Sequence, residues 1–184
     1  MLTIDFTPFP TLYTERLQLR EMTDNDVNGL FEMRSNPSNM QYISRHIAQT
    51  IDDAQVLIDR VKRLLANNEG ITWALCLKDS PQIIGTFGFW RIDAENHRTE
   101  IGYMLHQDFQ GKGLMHEAMQ TGLEYAFKVM KVHAVEASIN PANAGSINLA
   151  ERNGFIREGY FKDMYYFNGK YVDTCMYTLF NPYE

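Results

Sequence analysis

Apolar positions recur along the chain with two different periods, and together these periods predict a mixed α/β fold. Alternation or short apolar runs predict strands at 15–20, 71–78, 82–91, 99–105 and 132–139. Apolar residues spaced three and four apart predict helices at 23–36, 51–66, 113–130 and 144–152. The tail at 155–180 reads as two further strands that fold over the Asn168-Gly169 turn.

The order of these segments indicates how the strands pair. The succession of strand, helix and strand between 99 and 139 predicts one right-handed parallel crossover. The short connections elsewhere favour antiparallel neighbours. No repeat, low-complexity tract or linker divides the sequence, so we expect one domain over residues 1–184.

Composition narrows the classes of function. The 184 residues have a formal net charge of −6. This charge argues against stable nucleic-acid binding and favours a cationic substrate. The start of the chain lacks the features of a secretory signal, and no apolar run approaches the ~18 residues of a membrane span. Cys76 and Cys175 lie in apolar segments without metal-ligand spacing. We therefore expect a cytoplasmic protein with reduced thiols, no metal and no membrane association.

The segment with the most chemical information is the glycine-flanked loop from Gln110 to Met115, with the sequence Gln-Gly-Lys-Gly-Leu-Met. Glycine allows close approach of the backbone, so the amides of Gly111, Lys112, Gly113 and Leu114 can point at one anion. The dipole of the following helix adds favourable potential, which suits a pyrophosphate. A simple tight turn into a helix is the alternative. A P-loop and a dinucleotide fingerprint both fit worse, because Gly113 and His116 stand where those motifs need other residues.

At this loop the sequence resembles the GNAT superfamily of N-acetyltransferases, whose acetyl-CoA loop reads Gln/Arg-x-x-Gly-x-Gly/Ala before a helix. Met115 replaces the final small residue. The resemblance covers nearly the whole chain and points to the RimJ/RimL branch, which acetylates the amino termini of ribosomal proteins. Its other motifs are the opening at 14–20, Glu100-Ile-Gly-Tyr103, and Asn143-x-x-Ser146 leading to Gly154-Phe155.

The resemblance implies a central, mostly antiparallel sheet of about seven strands with helices on both faces. It also implies that the strand at 99–105 splays from the strand at 132–139, which leaves a slot for acetyl-CoA. Backbone at Met104 and Leu105 would hold the pantetheine arm, and an amide near Met104 would act as an oxyanion hole. Residues predicted to bind the cofactor are Met104, Leu105, Gln110, Gly111, Lys112, Gly113, Leu114, Met115 and Asn143.

Two residues are the candidates for catalysis. By the resemblance, Glu100 is the general base that takes the amine proton directly or through water. A positioning or substrate-binding role is its alternative, and Asp93, Glu95 and Glu158 compete with it. Most family members protonate the thiolate with a tyrosine, but this chain has Ala150 there. Ser146, one helical turn away on the same face, would replace it. Asn143 would bind the cofactor arm or a water, cap the helix, or do both.

These features predict an acetyl-CoA-dependent N-acetyltransferase that transfers acetyl directly to a primary amine. The acceptor expected from the resemblance is the α-amino group of a protein N-terminus. The alternatives are a small amine such as a polyamine, amino acid, sugar amine or antibiotic, and a non-catalytic acyl-CoA-binding module. A homodimer is compatible with the sequence.

Overall fold

One eight-stranded sheet organises the computed structural model, which describes residues 1–184. The strands lie in the order β1-β2-β3-β4-β5-β6-β8-β7. Their bounds are β1 Leu12–Tyr13, β2 Leu17–Glu21, β3 Ile71–Leu77, β4 Ile83–Asp93, β5 Arg98–Leu105, β6 Ala134–Ile139, β7 Ile156–Phe167 and β8 Lys170–Phe180. The sequence predicted seven strands. The additional strand is the two-residue β1, which lies in the proline-containing opening of the chain.

Strand pairing is antiparallel everywhere except between β5 and β6. The chain runs from β5 through a helix to β6, which confirms the predicted crossover. Asn168 and Gly169 form the turn between β7 and β8, both at positive φ, as that dipeptide predicts. The mixed α/β fold with a mostly antiparallel sheet is therefore confirmed.

Five α-helices accompany the sheet. Their bounds are α1 Val27–Ser35, α2 Pro37–Met40, α3 Ile51–Ala66, α4 Leu114–Lys128 and α5 Ala144–Arg152. The bounds predicted for α3 and α5 agree with the structure. Each helix has a defined N-cap: a Thr50–Asp53 capping box precedes α3, and Asn143 caps α5. The first helix does end before Pro37, but Pro37 also begins α2, a single turn capped by Asn36.

The helices cover both faces of the sheet because side chains alternate along each strand. On β3, Trp73 and Leu75 are buried in the larger core cluster, together with the apolar side chains of α4. Their neighbour Ala74 is buried in the smaller cluster, with Leu30 of α1 and Ile58 of α3. No helix is both long enough and apolar enough to cross a bilayer. The layers leave one opening in the middle of the sheet, where β5 and β6 separate.

Candidate active site

The parallel strands β5 and β6 pair over only three residues. Arg98, Thr99 and Glu100 face Ala134, Val135 and Glu136. Beyond this point β5 pairs only with β4, and β6 pairs only with β8. The facing edges from Ile101 and from Ala137 onward therefore have no strand partner. Unpaired edges of this kind accept an extended ligand as an added strand, so the predicted slot is present.

The loop that leads into α4 presents main-chain amides. Gly111 and Gly113 have φ of 72° and 76°, a region that glycine enters without the steric cost of a side chain. A Cβ at Gly111 would have no atom within 4 Å, so the space in front of this loop is open. No side chain caps the N-terminus of α4, and the amides of Gly111, Lys112 and Gly113 bond to no acceptor on the chain. An anion fits this arrangement better than a structural turn does.

Side chains in the loop fix its shape. Gln110 donates from Nε2 to the Leu105 carbonyl over 2.9 Å, which ties the loop to the end of β5. Lys112 donates from Nζ to the Asp108 carbonyl over 2.7 Å. The buried side chains of Leu114 and Met115 anchor α4 in the core. These residues therefore offer a ligand their backbone more than their side chains.

The same loop has a support that the sequence reasoning missed. Arg16 donates from Nη1 to the Lys112 carbonyl over 2.9 Å and pairs through Nε with Glu117 over 2.7 Å. Glu117 also accepts hydrogen bonds from the Thr14 hydroxyl and the Arg16 amide. Burial favours a higher pKa for Glu117, but these bonds outweigh it and lower the pKa. Arg16 lies about a hundred residues before the loop, so no local pattern indicates the contact.

Two cavities meet at the slot. One, of about 350 Å³, is lined by Glu100, Gly102 and parts of α1 and α3. The other, of about 490 Å³, is lined by the glycine loop and the start of α5. The residues common to both walls are Tyr42, Ile43, Tyr103, Met104, Asn143 and Ser146. Two adjacent cavities with a common wall have room for two ligands side by side.

The boundary contains a contact between two hydroxyl groups. The Tyr103 Oη and Ser146 Oγ atoms are 2.5 Å apart. Burial raises the pKa of Tyr103, and the bond to Ser146 lowers it by less, so the phenol stays protonated. The sequence analysis did not connect Tyr103 with Ser146. Asn143 accepts from the Ser146 amide over 3.0 Å and so caps α5.

Glu100 lies where β5 and β6 begin to separate. It is 7% exposed and lines the smaller cavity. Arg91 donates to its Oε2 over 2.8 Å, and no group on the chain donates to Oε1. Burial raises the pKa of Glu100 and Glu136 adds to the rise, while Arg91 opposes it. A carboxylate with a raised pKa suits general-base chemistry near neutral pH. Asp93, Glu95 and Glu158 line neither cavity.

The charge of the smaller cavity differs from that of the whole chain. The net charge of −6 predicts a cationic substrate. The cavity nevertheless contains Arg34, Arg45 and Arg60, and its only carboxylate is Glu100. No cluster of three or more His, Cys, Asp or Glu residues could hold a metal ion.

Sequence comparison identifies relatives of this chain. An uncharacterized N-acetyltransferase of Bacillus licheniformis is 34% identical over 92% of this chain and 95% of its own length. The ribosomal protein uS5 alanine N-acetyltransferase of Escherichia coli is 34% identical over 56% of this chain and 54% of its own length.

Solved structures share the fold. A GNAT-family acetyltransferase from Bacillus anthracis matches with a TM-score of 0.83 and 27% identity, over 94% of this chain and 99% of that one. A spermidine N-acetyltransferase from Vibrio cholerae, solved with CoA and spermine, matches with a TM-score of 0.79 and 20% identity, over 90% and 95%.

The family description "Acetyltransferase (GNAT) domain" matches residues 16–156, a stretch that includes the glycine loop, the separating strands and both hydroxyl groups at the boundary. The chain therefore belongs to the GNAT family of N-acetyltransferases.

Proposed function

We propose that this N-acetyltransferase uses acetyl-CoA and transfers the acetyl group to the α-amino group of a protein N-terminus. One observation carries the proposal: two cavities meet at Tyr103, Met104 and Ser146, with the glycine loop on one side and Glu100 on the other. Direct transfer needs both substrates bound at once, and this arrangement accommodates them.

The cosubstrate would occupy the side of the glycine loop. The amides of Gly111, Lys112, Gly113 and Leu114 bind its diphosphate, helped by the positive end of the α4 dipole. Gln110 and Met115 hold this loop in shape through their contacts with Leu105 and the core. The free edge of β5 at Met104 and Leu105 binds the pantetheine arm, and Asn143 offers its side-chain amide nitrogen from the α5 N-cap.

The amine is then activated by Glu100. An α-amino group has a pKa of ~7.7–8.0, so a useful fraction is neutral at cellular pH. The neutral nitrogen attacks the thioester carbonyl, and its proton passes to Glu100 directly or through water. A backbone amide near Met104 stabilises the negative charge that develops on the carbonyl oxygen.

Ser146 completes the reaction. As the carbon–sulfur bond breaks, the Ser146 hydroxyl donates its proton to the departing sulfur. Tyr103 keeps its proton, because burial raises its pKa, and donates a hydrogen bond that orients the Ser146 hydroxyl across their 2.5 Å contact. After CoA leaves, Ser146 regains a proton from water and Glu100 releases to water the proton that it took from the amine. The free CoA thiol and the amide are the products, and no covalent enzyme intermediate forms.

The choice of a protein acceptor is supported by the relative that acetylates an alanine of ribosomal protein uS5. A small amine is the second candidate, because a spermidine acetyltransferase has the same fold. We place the reaction in the cytoplasm, since Cys76 and Cys175 are free thiols.

A thiol-release assay tests the proposal. Acetyl-CoA is incubated with N-terminal peptides of ribosomal proteins and with a panel of small amines. We expect thiol release with at least one peptide and mass spectrometry to find acetyl on its α-amino group. Reaction with a small amine alone would overturn the acceptor assignment. CoA binding without thiol release from any amine would indicate a non-catalytic acyl-CoA-binding module.

A further inference from the structure

Three arginines line the cavity on the Glu100 side, and none of them is paired with a carboxylate. Arg34 lies near the end of α1, Arg45 in the loop after α2, and Arg60 on α3. All ion pairs in the structure involve other groups. Glu100, the one acid of this cavity, is bound by Arg91 instead. The cavity therefore has a surplus of positive charge.

The fold directs these side chains to the cavity. Arg34 follows Leu30 by one helical turn on the same face of α1, and Leu30 also lines the cavity. Arg60 is an exposed residue of α3 that lies between Leu57 and Leu64, and both leucines also line the cavity. The Ala48 amide donates to the Arg34 carbonyl over 3.0 Å, which holds the loop with Arg45 against α1.

Placing the Arg34 and Arg45 side chains near each other is unfavourable in the free protein. Burial of Arg34, together with repulsion from Arg45, lowers the pKa of Arg34. A guanidinium nevertheless keeps its charge in proteins. The chain has 23 acidic residues, yet none forms an ion pair with these arginines. An anionic ligand would relieve the repulsion and satisfy the donors.

We propose that the acceptor carries an anionic group, a carboxylate or a phosphate, on the same molecule as its amine, and that Arg34, Arg45 and Arg60 bind this group. Arginine binds both anions through paired N–H donors. The amine then faces Glu100 and the anion faces α1 and α3. In a protein acceptor the anion is an Asp or Glu soon after the first residue. The inference rests on the proposed function and narrows its acceptor, and it disfavours polyamines.

Matched acceptors test the inference. One pair is the peptide Ser-Asp-Asp-Gly-Gly-Tyr against Ser-Asn-Asn-Gly-Gly-Tyr, and the other is phosphoethanolamine against ethanolamine. Spermidine is the polycation. We expect the anionic member of at least one pair to have the higher kcat/KM, and the pair that responds identifies the source of the anion. Spermidine should be the poorest acceptor.

Substitutions of the three arginines test whether these side chains cause the preference for an anionic acceptor. R34Q should lower kcat/KM for the anionic acceptor roughly 10- to 150-fold through KM, as expected for a charged hydrogen bond. R45Q and R60Q, at exposed positions, should lower it about threefold each. The neutral acceptor should lose less than the anionic one in all three variants, so the ratio of their kcat/KM values should fall toward one. R63Q is the matched control, since Arg63 is on α3 but does not line the cavity.

The outcomes separate the two proposals. Equal rates within both pairs, a preference for spermidine, or a preference that survives in R34Q, R45Q and R60Q would overturn the inference. In each case thiol release would leave the acetyltransferase proposal standing. Absence of thiol release with every amine would overturn both. CoA titration calorimetry verifies that each variant is folded. If R34Q is unstable, R45Q and R60Q test the inference, because both arginines are exposed and their replacement leaves the core intact.

Discussion

The two cavities are built by different means. The cavity that we propose for the cosubstrate presents unbonded main-chain amides of one continuous segment, the loop at 110–114. The cavity that we propose for the acceptor is lined mainly by side chains from α1, the loop after α2, α3, and strands β4 and β5. A main-chain site tolerates side-chain changes and binds a constant ligand. A side-chain site changes its ligand when a few residues change, so acceptor specificity can vary while the cosubstrate stays the same.

The largest effect is expected on the acceptor side, at Glu100. Glu100→Gln removes the base and should lower kcat about 10²- to 10⁴-fold. CoA affinity should be unchanged in calorimetry, because Glu100 lines only the acceptor cavity. Glu95→Gln is the control, an exposed acid on the β4–β5 turn.

The pH profile sharpens this assignment. A base acts when ionised, and burial raises the pKa of Glu100 above its ordinary value. Native kcat at saturating acceptor reports ionisations in the bound complex rather than that of the free amine, so it should decline as the pH falls through that raised pKa. The Gln variant should lack this limb. A variant that keeps the limb would show that another group is the base.

The next effect is expected at the boundary of the two cavities. Ser146→Ala should lower kcat about 10²-fold by removing the proton donor. The dissociation constant of CoA should change far less, because the Asn143 cap bonds to the Ser146 amide and not to its hydroxyl. An equal loss in both quantities would make Ser146 a binding residue.

A smaller effect is expected from Gly111→Ala on the cosubstrate side. Left-handed backbone costs a non-glycine residue about 1–2 kcal/mol, and the new methyl group enters the open space before the amides. The dissociation constant of CoA should rise about tenfold. Gly169→Ala is a matched control, because Gly169 has φ of 76° and similar open space but lies in the β7–β8 turn. Equal stability loss in both variants, with CoA binding weakened in both, would contradict a phosphate site at Gly111.

The smallest effect is expected from Gly102→Ala on the acceptor side. Gly102 lines that cavity, and a Cβ there meets only the Trp90 indole nitrogen at 3.8 Å. The strand should tolerate the methyl group, while KM for the acceptor rises roughly fivefold and CoA affinity stays constant. A change in CoA affinity alone would show that the two cavities do not divide the substrates in this way.

Local sequence patterns determined most of the elements of this fold. Helix α3 was predicted with its observed bounds from its apolar period and the turn at 67–70, and the structure adds a Thr50–Asp53 capping box at its start. The glycine loop was likewise predicted, since positive φ and free amides are properties of consecutive residues. The single turn α2 and the two-residue β1 were missed, because elements this short carry no period.

Only the tertiary structure decided which distant residues share the site. Tyr103 and Ser146 are 43 residues apart, and their contact depends on how β5 and α5 meet at the slot. Arg34, Arg45 and Arg60 each read as ordinary surface cations until the packing of α1 and α3 brings them to one cavity. Hydrogen-bonding and backbone preferences act over a few residues and are visible in sequence. The local charge depends on which side chains lie near one another in space. The cavity beside Glu100 therefore carries a surplus of arginines although the whole chain has a net charge of −6.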